Sequence, residues 1–201
     1  VLRKADHDLK TPELFLSCGF PIAACQAKIL DDDDEEVPQG EAGEICVRAP
    51  HVMAEYWKRP DITAETLKSG WLHTGDIAKA DERGYMFILD RKKDMIVSGG
   101  FNIFPREVED VLTQHADVAM CAVVGVPDDK WGEAVTAIVV AREGVQPNAD
   151  ELIALVKAKK GAAHAPKQVH FVKQLPMTGV GKVDKKVLKA SFWAGKERMV
   201  G

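Results

Sequence analysis

The chain lacks the cysteine and histidine spacings that build structural metal sites. Its four cysteines are Cys18, Cys25, Cys46 and Cys121, and no two of them form a C-x-x-C pair. The six histidines likewise form no closely spaced pair. Structural zinc sites usually draw their ligands from such short-range pairs, so the sequence predicts no metal centre. We expect the cysteines to be free, buried thiols in a reducing cytoplasm.

Long apolar runs and an excess of basic residues are also missing. A run such as Val118–Val124 is far shorter than the roughly 20 residues that a membrane-spanning helix needs. The 201 residues carry 27 Lys and Arg against 31 Asp and Glu, a formal net charge of −4. A nucleic-acid-binding protein usually presents a basic face. We therefore expect no transmembrane segment, no nucleic-acid partner and a cytoplasmic location. Because Val1 is not an initiator methionine and no leader-like segment follows it, we also expect a piece of a longer protein.

The first half of the chain has the short alternating patterns of a β-rich unit. Turns are predicted at Thr74-Gly75 and Asp81–Gly84, and the acidic run Asp31–Glu36 is predicted to lie on a solvated turn, because six like charges repel one another. One short helix is expected after Pro60. The predicted strands lie within Pro21–Leu30, Glu44–Arg48, Trp71-Leu72, Ile77–Lys79 and Tyr85–Leu89.

After Arg91 the pattern changes to helices alternating with longer apolar strands. The helices are expected to begin near Pro105, Asn148 and Asp184, where the sequence supplies proline or a capping side chain. The predicted strands are Val118–Val126, Ala134–Val140 and Val169–Val172. The sequence therefore predicts an α+β fold: a small β-rich subdomain, then a compact C-terminal domain with a three-stranded sheet and covering helices. The boundary is expected near Asp90–Lys93.

The candidate functional residues lie in three glycine-containing segments. They are GWLHTGD at 70–76, GYMFILDRKKDMIVSGG at 84–100 and LPMTGVGKVDKK at 175–186. The third segment can bring backbone amides and the Lys182 ammonium close to an anion. It is not a Walker P-loop, because Pro176 replaces the first glycine and Val183 replaces the Ser or Thr that follows the lysine.

Together and in this order, the three segments resemble the C-terminal half of AMP-forming acyl-CoA synthetases of the adenylate-forming superfamily. The resemblance extends from about Thr11 to Trp193 and is strongest to fatty-acyl-CoA ligases. It implies that residues 1–90 are the truncated, last β-subdomain of the large N-terminal adenylating domain. Residues 91–201 would be the mobile C-terminal domain. The family's phosphate-binding loop and acyl pocket would lie before Val1.

The resemblance also implies roles for individual residues. Lys182 would be the catalytic lysine of the adenylation step, Asp76 would bind the ribose of ATP, and Arg91 would approach the nucleotide. Judged from local chemistry alone, a solvent-exposed lysine in a turn is the better interpretation of Lys182. For Asp76, a turn aspartate that bonds its own backbone is an equally good interpretation.

A further set of residues would serve the second half-reaction. Lys93 occupies the family's hinge position, where the backbone rotates between the two half-reactions. Gly99 and Gly100 would line the pantetheine tunnel, and Trp131 would stack on the CoA adenine, with Phe171 as a weaker companion. For both aromatic residues, packing in the core is an equally good interpretation.

The activity implied by the resemblance is ATP-dependent formation of an acyl-AMP from a carboxylic acid, followed by transfer of the acyl group to CoA. ATP would bring Mg²⁺, whose ligands are not expected in this chain. A fatty acid is the expected substrate, and the missing N-terminal part of the same enzyme is the expected partner. The alternatives are an aromatic-acid CoA ligase, a peptide-synthetase-type adenylation domain, a luciferase-like oxidase, or a non-enzymatic fragment that acts as an interaction module. We expect the chain alone to be inactive as a ligase.

Overall fold

A computed structural model describes residues 1–194, and the chain divides into two compact units. The first unit is Val1–Lys92, and the second begins at Lys93. The division therefore falls within the segment where the sequence pattern changes, and each unit is built on its own sheet. None of the described helices is long and apolar enough to cross a membrane.

The first unit is an antiparallel sheet with one short helix. The strand order is β1-β2-β4-β3, and β5 pairs with β4. Its apolar centre is formed by Ile29, Ile45 and Ala78. The elements are β1 (Gln26–Leu30), β2 (Gly43–Arg48), α1 (Pro60–Thr66), β3 (Leu67–Lys68), β4 (Trp71–Ala80) and β5 (Met86–Arg91).

Strand β4 corrects the prediction of two short strands separated by a turn at Thr74-Gly75. A single strand of ten residues runs through both segments, although Gly75 has a φ of +73°. A bulge absorbs the irregularity, because three residues of β4 stand opposite the single residue Ile45 of β2. A bulge and a turn both use glycine for its access to positive φ, so the sequence alone does not distinguish them.

The start of β1 also differs from its prediction. The strand begins at Gln26 rather than at Pro21, because Ala24 adopts a φ of +63°, which is incompatible with an extended strand. The acidic run Asp31–Glu36 connects β1 to β2 and is largely exposed, as predicted.

The second unit has a mixed sheet covered by helices. The strand order is β10-β9-β6-β7, with β8 paired to β9, and β10 runs parallel to β9. The elements are β6 (Ile96–Ser98), β7 (Phe101–Ile103), α2 (Pro105–Leu112), β8 (Val118–Asp128), β9 (Gly132–Ala141), α3 (Ala149–Lys160), β10 (Gln168–Phe171) and α4 (Lys185–Trp193).

The α+β class is confirmed, but the prediction of a three-stranded sheet is wrong, since the described part of this sheet has five strands. The two missed strands, β6 and β7, have three residues each. Segments of that length carry no readable alternation. Their inward-facing side chains, Ile96 and Ile103, are nevertheless fully buried, so both strands belong to the core.

Local signals located the helices well. Pro105 occupies the first turn of α2, and the apolar face formed by Val108, Val111 and Leu112 is buried. Asn148 caps α3 by accepting a hydrogen bond from the amide of Asp150 at 2.8 Å.

The cysteines depart in part from expectation. All four are free, and Cys46 and Cys121 are buried, but Cys18 is exposed and Cys25 is half-buried. The expectation of buried thiols is therefore wrong for Cys18, which lies in a loop before β1.

Candidate functional site

The structure brings the two predicted nucleotide-binding residues together in the first unit. Asp76 on β4 and Arg91 on β5 are register partners, and Nε of Arg91 lies 2.8 Å from Oδ1 of Asp76. Both side chains remain accessible, with exposed fractions of 27% for Asp76 and 57% for Arg91. The guanidinium orients one carboxylate oxygen, which leaves Oδ2 to accept a hydroxyl group of a ligand.

Asp76 lies where β4 is irregular on both sides. The ladder to β2 is bulged next to Asp76, and the ladder to β5 shifts register between Ile77 and Ala78. Thr74 fixes the local backbone, since its hydroxyl donates to the carbonyl of Ile45 at 2.8 Å and accepts from the amide of Asp76 at 3.1 Å. Bulges often re-aim side chains beside functional sites.

Glu44 is the main residue that sequence reasoning missed. It is buried, with an exposed fraction of 6%. Its Oε1 accepts a hydrogen bond from the amide of Gly75 at 2.8 Å, and its Oε2 accepts one from Nζ of Lys92 at 3.2 Å. Lys92 also pairs with Asp32 at 2.8 Å. Burial alone would raise the pKa of Glu44, but the Gly75 amide and Lys92 outweigh it and hold that pKa below its usual value.

Glu44, Cys46 and His73 bring possible metal-ligand atoms to within 4.8 Å of one another. This group does not fit Mg²⁺, which prefers about six oxygen ligands. The ammonium of Lys92 already neutralises Glu44. Burial, reinforced by the charges of Glu44 and Asp34, raises the pKa of the Cys46 thiol to about 12. Because the Cys46 thiol is protonated and Lys92 already pairs with Glu44, this group forms a buried polar network rather than a magnesium site.

Lys182 lies in a narrow loop between β10 and α4, one residue before the bridge that closes it. The loop is closed by a bridge between Met177 and Val183, and Thr178 and Lys182 bond each other through the amide of Thr178 and the carbonyl of Lys182 at 2.7 Å. Gly181 adopts a φ of +78°, which allows the tight turn. The side chain of Lys182 is exposed. As far as the structure describes the second unit, no acidic side chain pairs with its ammonium.

Helix α4 anchors the end of this loop. Asp184 caps the helix by accepting from the amide of Val187 at 3.1 Å. One residue later, Nζ of Lys185 lies 2.7 Å from Oε1 of Glu109 on α2, in a pair whose two side chains are both less than one-fifth exposed. The loop is thereby fixed at its base while Lys182 stays free to reach a ligand.

The proposed hinge residue Lys93 lies at the first position of the second unit, within a short 3₁₀ turn over Lys92–Asp94. Its side chain is exposed, and its carbonyl accepts from Nζ of Lys189 on α4 at 3.3 Å. Lys189 also approaches Oδ1 of Asp94 at 3.5 Å. Helix α4 therefore contacts the junction segment as well as the Lys182 loop.

Gly99 and Trp131, two of the predicted CoA-binding residues, are in direct contact. The amide of Gly99 donates to the carbonyl of Trp131 at 2.9 Å. A Cβ atom added to Gly99 would lie 2.8 Å from Cε3 of the Trp131 ring, whereas one added to Gly100 would meet nothing within 4 Å. The indole packs on the glycine backbone and is still 37% exposed. Nζ atoms of Lys130 and Lys167 lie 4.8 and 5.2 Å from the centroid of the ring.

Phe171 stands apart from this contact as the last residue of β10, and it is 46% exposed. Sequence reasoning missed a second carboxylate, Glu133, which bonds the strand that leads into Gly99. It is 3% exposed, and its Oε2 accepts from the amide of Val97 on β6 at 2.9 Å.

Comparison with known protein families shows which family the chain belongs to. Residues 107–182 match the family described as the AMP-binding enzyme C-terminal domain, and residues 5–57 match the AMP-binding enzyme family. The two matches together cover more than half of the chain, which belongs to the AMP-binding enzyme family.

Individual relatives refine this class. The chain is 51% identical, over its whole length, to the medium/long-chain-fatty-acid–CoA ligase FadD8 of Mycobacterium tuberculosis, of which it covers 36%. It is 45% identical, over 88% of its length, to a feruloyl-CoA synthase of Amycolatopsis, again covering 36% of that protein. The chain thus spans about a third of the length of these relatives.

Solved structures agree with this assignment. The amide bond synthetase McbA from Marinactinospora thermotolerans matches with a TM-score of 0.84 and 42% identity, over 95% of this chain and 38% of that one. ATP-bound MatB from Rhodopseudomonas palustris matches with a TM-score of 0.83 and 34% identity, over 90% of this chain and 37% of that one. The fold is that of adenylate-forming enzymes.

Proposed function

We propose that the chain is the C-terminal part of an ATP-dependent acid–CoA ligase that activates a fatty acid. The observation that carries this proposal is the 51% identity, along the entire chain, to a fatty-acid–CoA ligase. The reaction would have two steps. A carboxylate oxygen bonds to the α-phosphorus of ATP as the bond to pyrophosphate breaks, and the CoA sulfur then bonds to the acyl carbon as AMP leaves and the thiol proton passes to solvent.

The geometry fits the first step. Carboxylate and triphosphate are both anionic, and their approach costs Coulomb energy in a site that excludes water. An exposed ammonium on a loop fixed at its base, as at Lys182, would offset that repulsion and stabilise charge in the transition state. Asp76, oriented by Arg91, would accept hydrogen bonds from the ribose hydroxyls. Mg²⁺ would accompany ATP.

The second step would use other residues of the second unit. Lys93 would be the hinge about which residues 91–201 turn relative to residues 1–90, the last β-subdomain of the adenylating domain. Its place at the junction of the two units supports this role. The Gly99 and Gly100 loop, packed on Trp131, would guide the thiol arm of CoA. The four free cysteines support a reducing, cytoplasmic location.

Removing the Lys182 ammonium tests the proposal. In the full-length parent enzyme, Lys182→Ala should lower acid-dependent pyrophosphate exchange by about 10²–10³-fold, the usual cost of losing one preorganised charge-stabilising group. Thioester formation from supplied acyl-AMP and CoA should be largely spared. The control is Lys186→Ala, which removes an exposed lysine from the same segment. Pyrophosphate exchange at a near wild-type rate in Lys182→Ala would contradict the proposed role.

An aromatic acid is the second candidate substrate, favoured by the 45% identity to a feruloyl-CoA synthase. A panel of fatty and aromatic acids assayed with the full-length enzyme separates the two. The 201-residue chain should form no acyl-CoA by itself, because catalysis by positioning needs both sides of the nucleotide site. Titration of AMP and CoA into the chain and into a version extended upstream distinguishes an enzyme fragment from an interaction module that binds neither.

A further inference from the structure

The backbone that carries Asp76 is held by a side chain from the neighbouring strand. Where β4 bulges, three of its residues face only Ile45, so the regular ladder cannot satisfy every amide there. The carboxylate of Glu44 takes the place of the missing backbone acceptor and binds the amide of Gly75, one residue before Asp76, at 2.8 Å. Gly75 adopts a φ of +73°, which glycine accepts at little steric cost.

Glu44 is itself fixed in place. Its second oxygen accepts from Lys92 at 3.2 Å and lies 3.3 Å from Nδ1 of His73. Nε2 of His73 is buried without a hydrogen-bond partner, 3.6 Å from Oδ1 of Asp34. The carboxylate is therefore buried, charged and bonded on both oxygens, and charge-assisted bonds of this kind are shorter and stronger than neutral ones.

We propose that Glu44 is a positioning residue for the nucleotide: it acts through the amide of Gly75 to fix the backbone from which Asp76 reaches the ribose. The inference rests on the proposed nucleotide-binding role of Asp76. The metal alternative for this cluster is disfavoured by the ammonium of Lys92, which already lies against the carboxylate.

The test measures AMP binding by calorimetry in the full-length parent enzyme. Glu44→Ala should raise the Kd for AMP by about tenfold, comparable to the loss of one charge-assisted hydrogen bond. Asp76→Ala should raise it by at least as much. If Glu44 acts through Asp76, the double variant should bind AMP no more weakly than Asp76→Ala alone. The inference would be overturned if the two substitutions had additive effects on the free energy of AMP binding in the double variant. It would also be overturned if the Kd for AMP rose in Asp76→Ala but not in Glu44→Ala.

Two conservative variants separate positioning from general stabilisation. Glu44→Gln keeps an acceptor for Gly75 but loses the charge that pairs with Lys92, and it should keep the Kd for AMP within about threefold of wild type. Glu44→Asp keeps the charge but withdraws the acceptor by one methylene group, and it should weaken AMP binding. Weaker AMP binding by Glu44→Gln than by Glu44→Asp would overturn the inference. Both variants remain informative if Glu44→Ala does not fold. Glu36→Ala is the matched control, since Glu36 is 61% exposed and lies in the connection that leads into β2.

The outcomes also separate this inference from the proposed function. An unchanged Kd for AMP in Asp76→Ala would mean that the first unit does not bind the ribose through Asp76, which refutes the proposed function at this site. An altered Kd in Asp76→Ala with wild-type binding in every Glu44 variant would refute only the positioning role.

Discussion

The adjacent glycines Gly99 and Gly100 allow a matched comparison of two single-methyl substitutions. Both have positive φ, +59° and +83°, so alanine at either position pays about 1–2 kcal/mol for a left-handed backbone. Only at Gly99 would the new methyl group also collide with Trp131, at 2.8 Å from Cε3 and 3.1 Å from Cζ3. Overpacking of that kind costs about 1–3 kcal/mol more.

We therefore expect Gly99→Ala to destabilise the chain by about 1–3 kcal/mol more than Gly100→Ala does. The assay is urea unfolding of the 201-residue chain, followed by circular dichroism and by tryptophan fluorescence. Removing the ring should relieve the collision, so in a Trp131→Ala background the two glycine variants should cost the same. If the extra cost of Gly99→Ala persists without the indole, or is absent with it, the packing of Trp131 on Gly99 is not what constrains this loop.

The same pair tests function. In the full-length parent enzyme, a displaced Trp131 should slow thioester formation from supplied acyl-AMP in Gly99→Ala by more than in Gly100→Ala. Each additional 1.4 kcal/mol lost from a productive arrangement corresponds to about tenfold in rate. Pyrophosphate exchange reports the first step and should respond little to either variant. Equal losses in both half-reactions would show that the loop contributes only to folding.

Two further predictions concern cysteine reactivity and the pH dependence of stability. Iodoacetamide should alkylate Cys18 in the native chain well before Cys46 and Cys121, because Cys18 is exposed, whereas burial shields the other two thiols and raises the pKa of both to about 12. Peptide mass spectrometry reads the result, and equal labelling would contradict it. Glu44 has a lowered pKa, so its stabilising effect should be complete above its ordinary pKa of 4.5 and disappear as the pH falls through its lower folded value. Lys92 has a raised pKa, so its effect should be complete below 10.5 and be lost as the pH rises above that. Urea unfolding of wild type, Glu44→Gln and Lys92→Met across this pH range checks both signs.

The elements that the sequence located well are those specified by their own residues. Helix α2 begins at a proline and buries a 3.6-residue stripe, and α3 carries its capping residue Asn148 and its terminal Gly161 in the local sequence. The strands β6 and β7 were missed for the opposite reason. They are three residues long and pair with each other across Gly99-Gly100, and β6 joins the rest of the sheet through Ser98, opposite Gly132 of β9. The pairing with β9 depends on chain far away in sequence, which a local pattern does not contain.

The candidate site divides along the same line. Asp76, Arg91 and Lys182 lie in short segments whose order resembles a family, so their positions were accessible from sequence. Glu44 was not, because its partners Gly75 and Lys92 lie 31 and 48 residues away along the chain. One weak signal existed: in the alternation of β2, Glu44 shares a face with the buried Cys46, and a carboxylate on a core-facing position needs a partner.

Glu44 and Trp131 perform the same physical task in the two units. In each unit, a glycine at positive φ precedes the proposed contact with a ligand, and its amide is bonded to a neighbouring element. The amide of Gly75 donates to the Glu44 carboxylate at 2.8 Å, and the amide of Gly99 donates to the Trp131 carbonyl at 2.9 Å. Glycine supplies the backbone freedom that such a loop needs, but it does not select one conformation. Selection must come from the bonded neighbour, because an unrestrained glycine loses more entropy on ordering than other residues do. The motif glycines make these loops possible, and residues outside the motifs hold them in place.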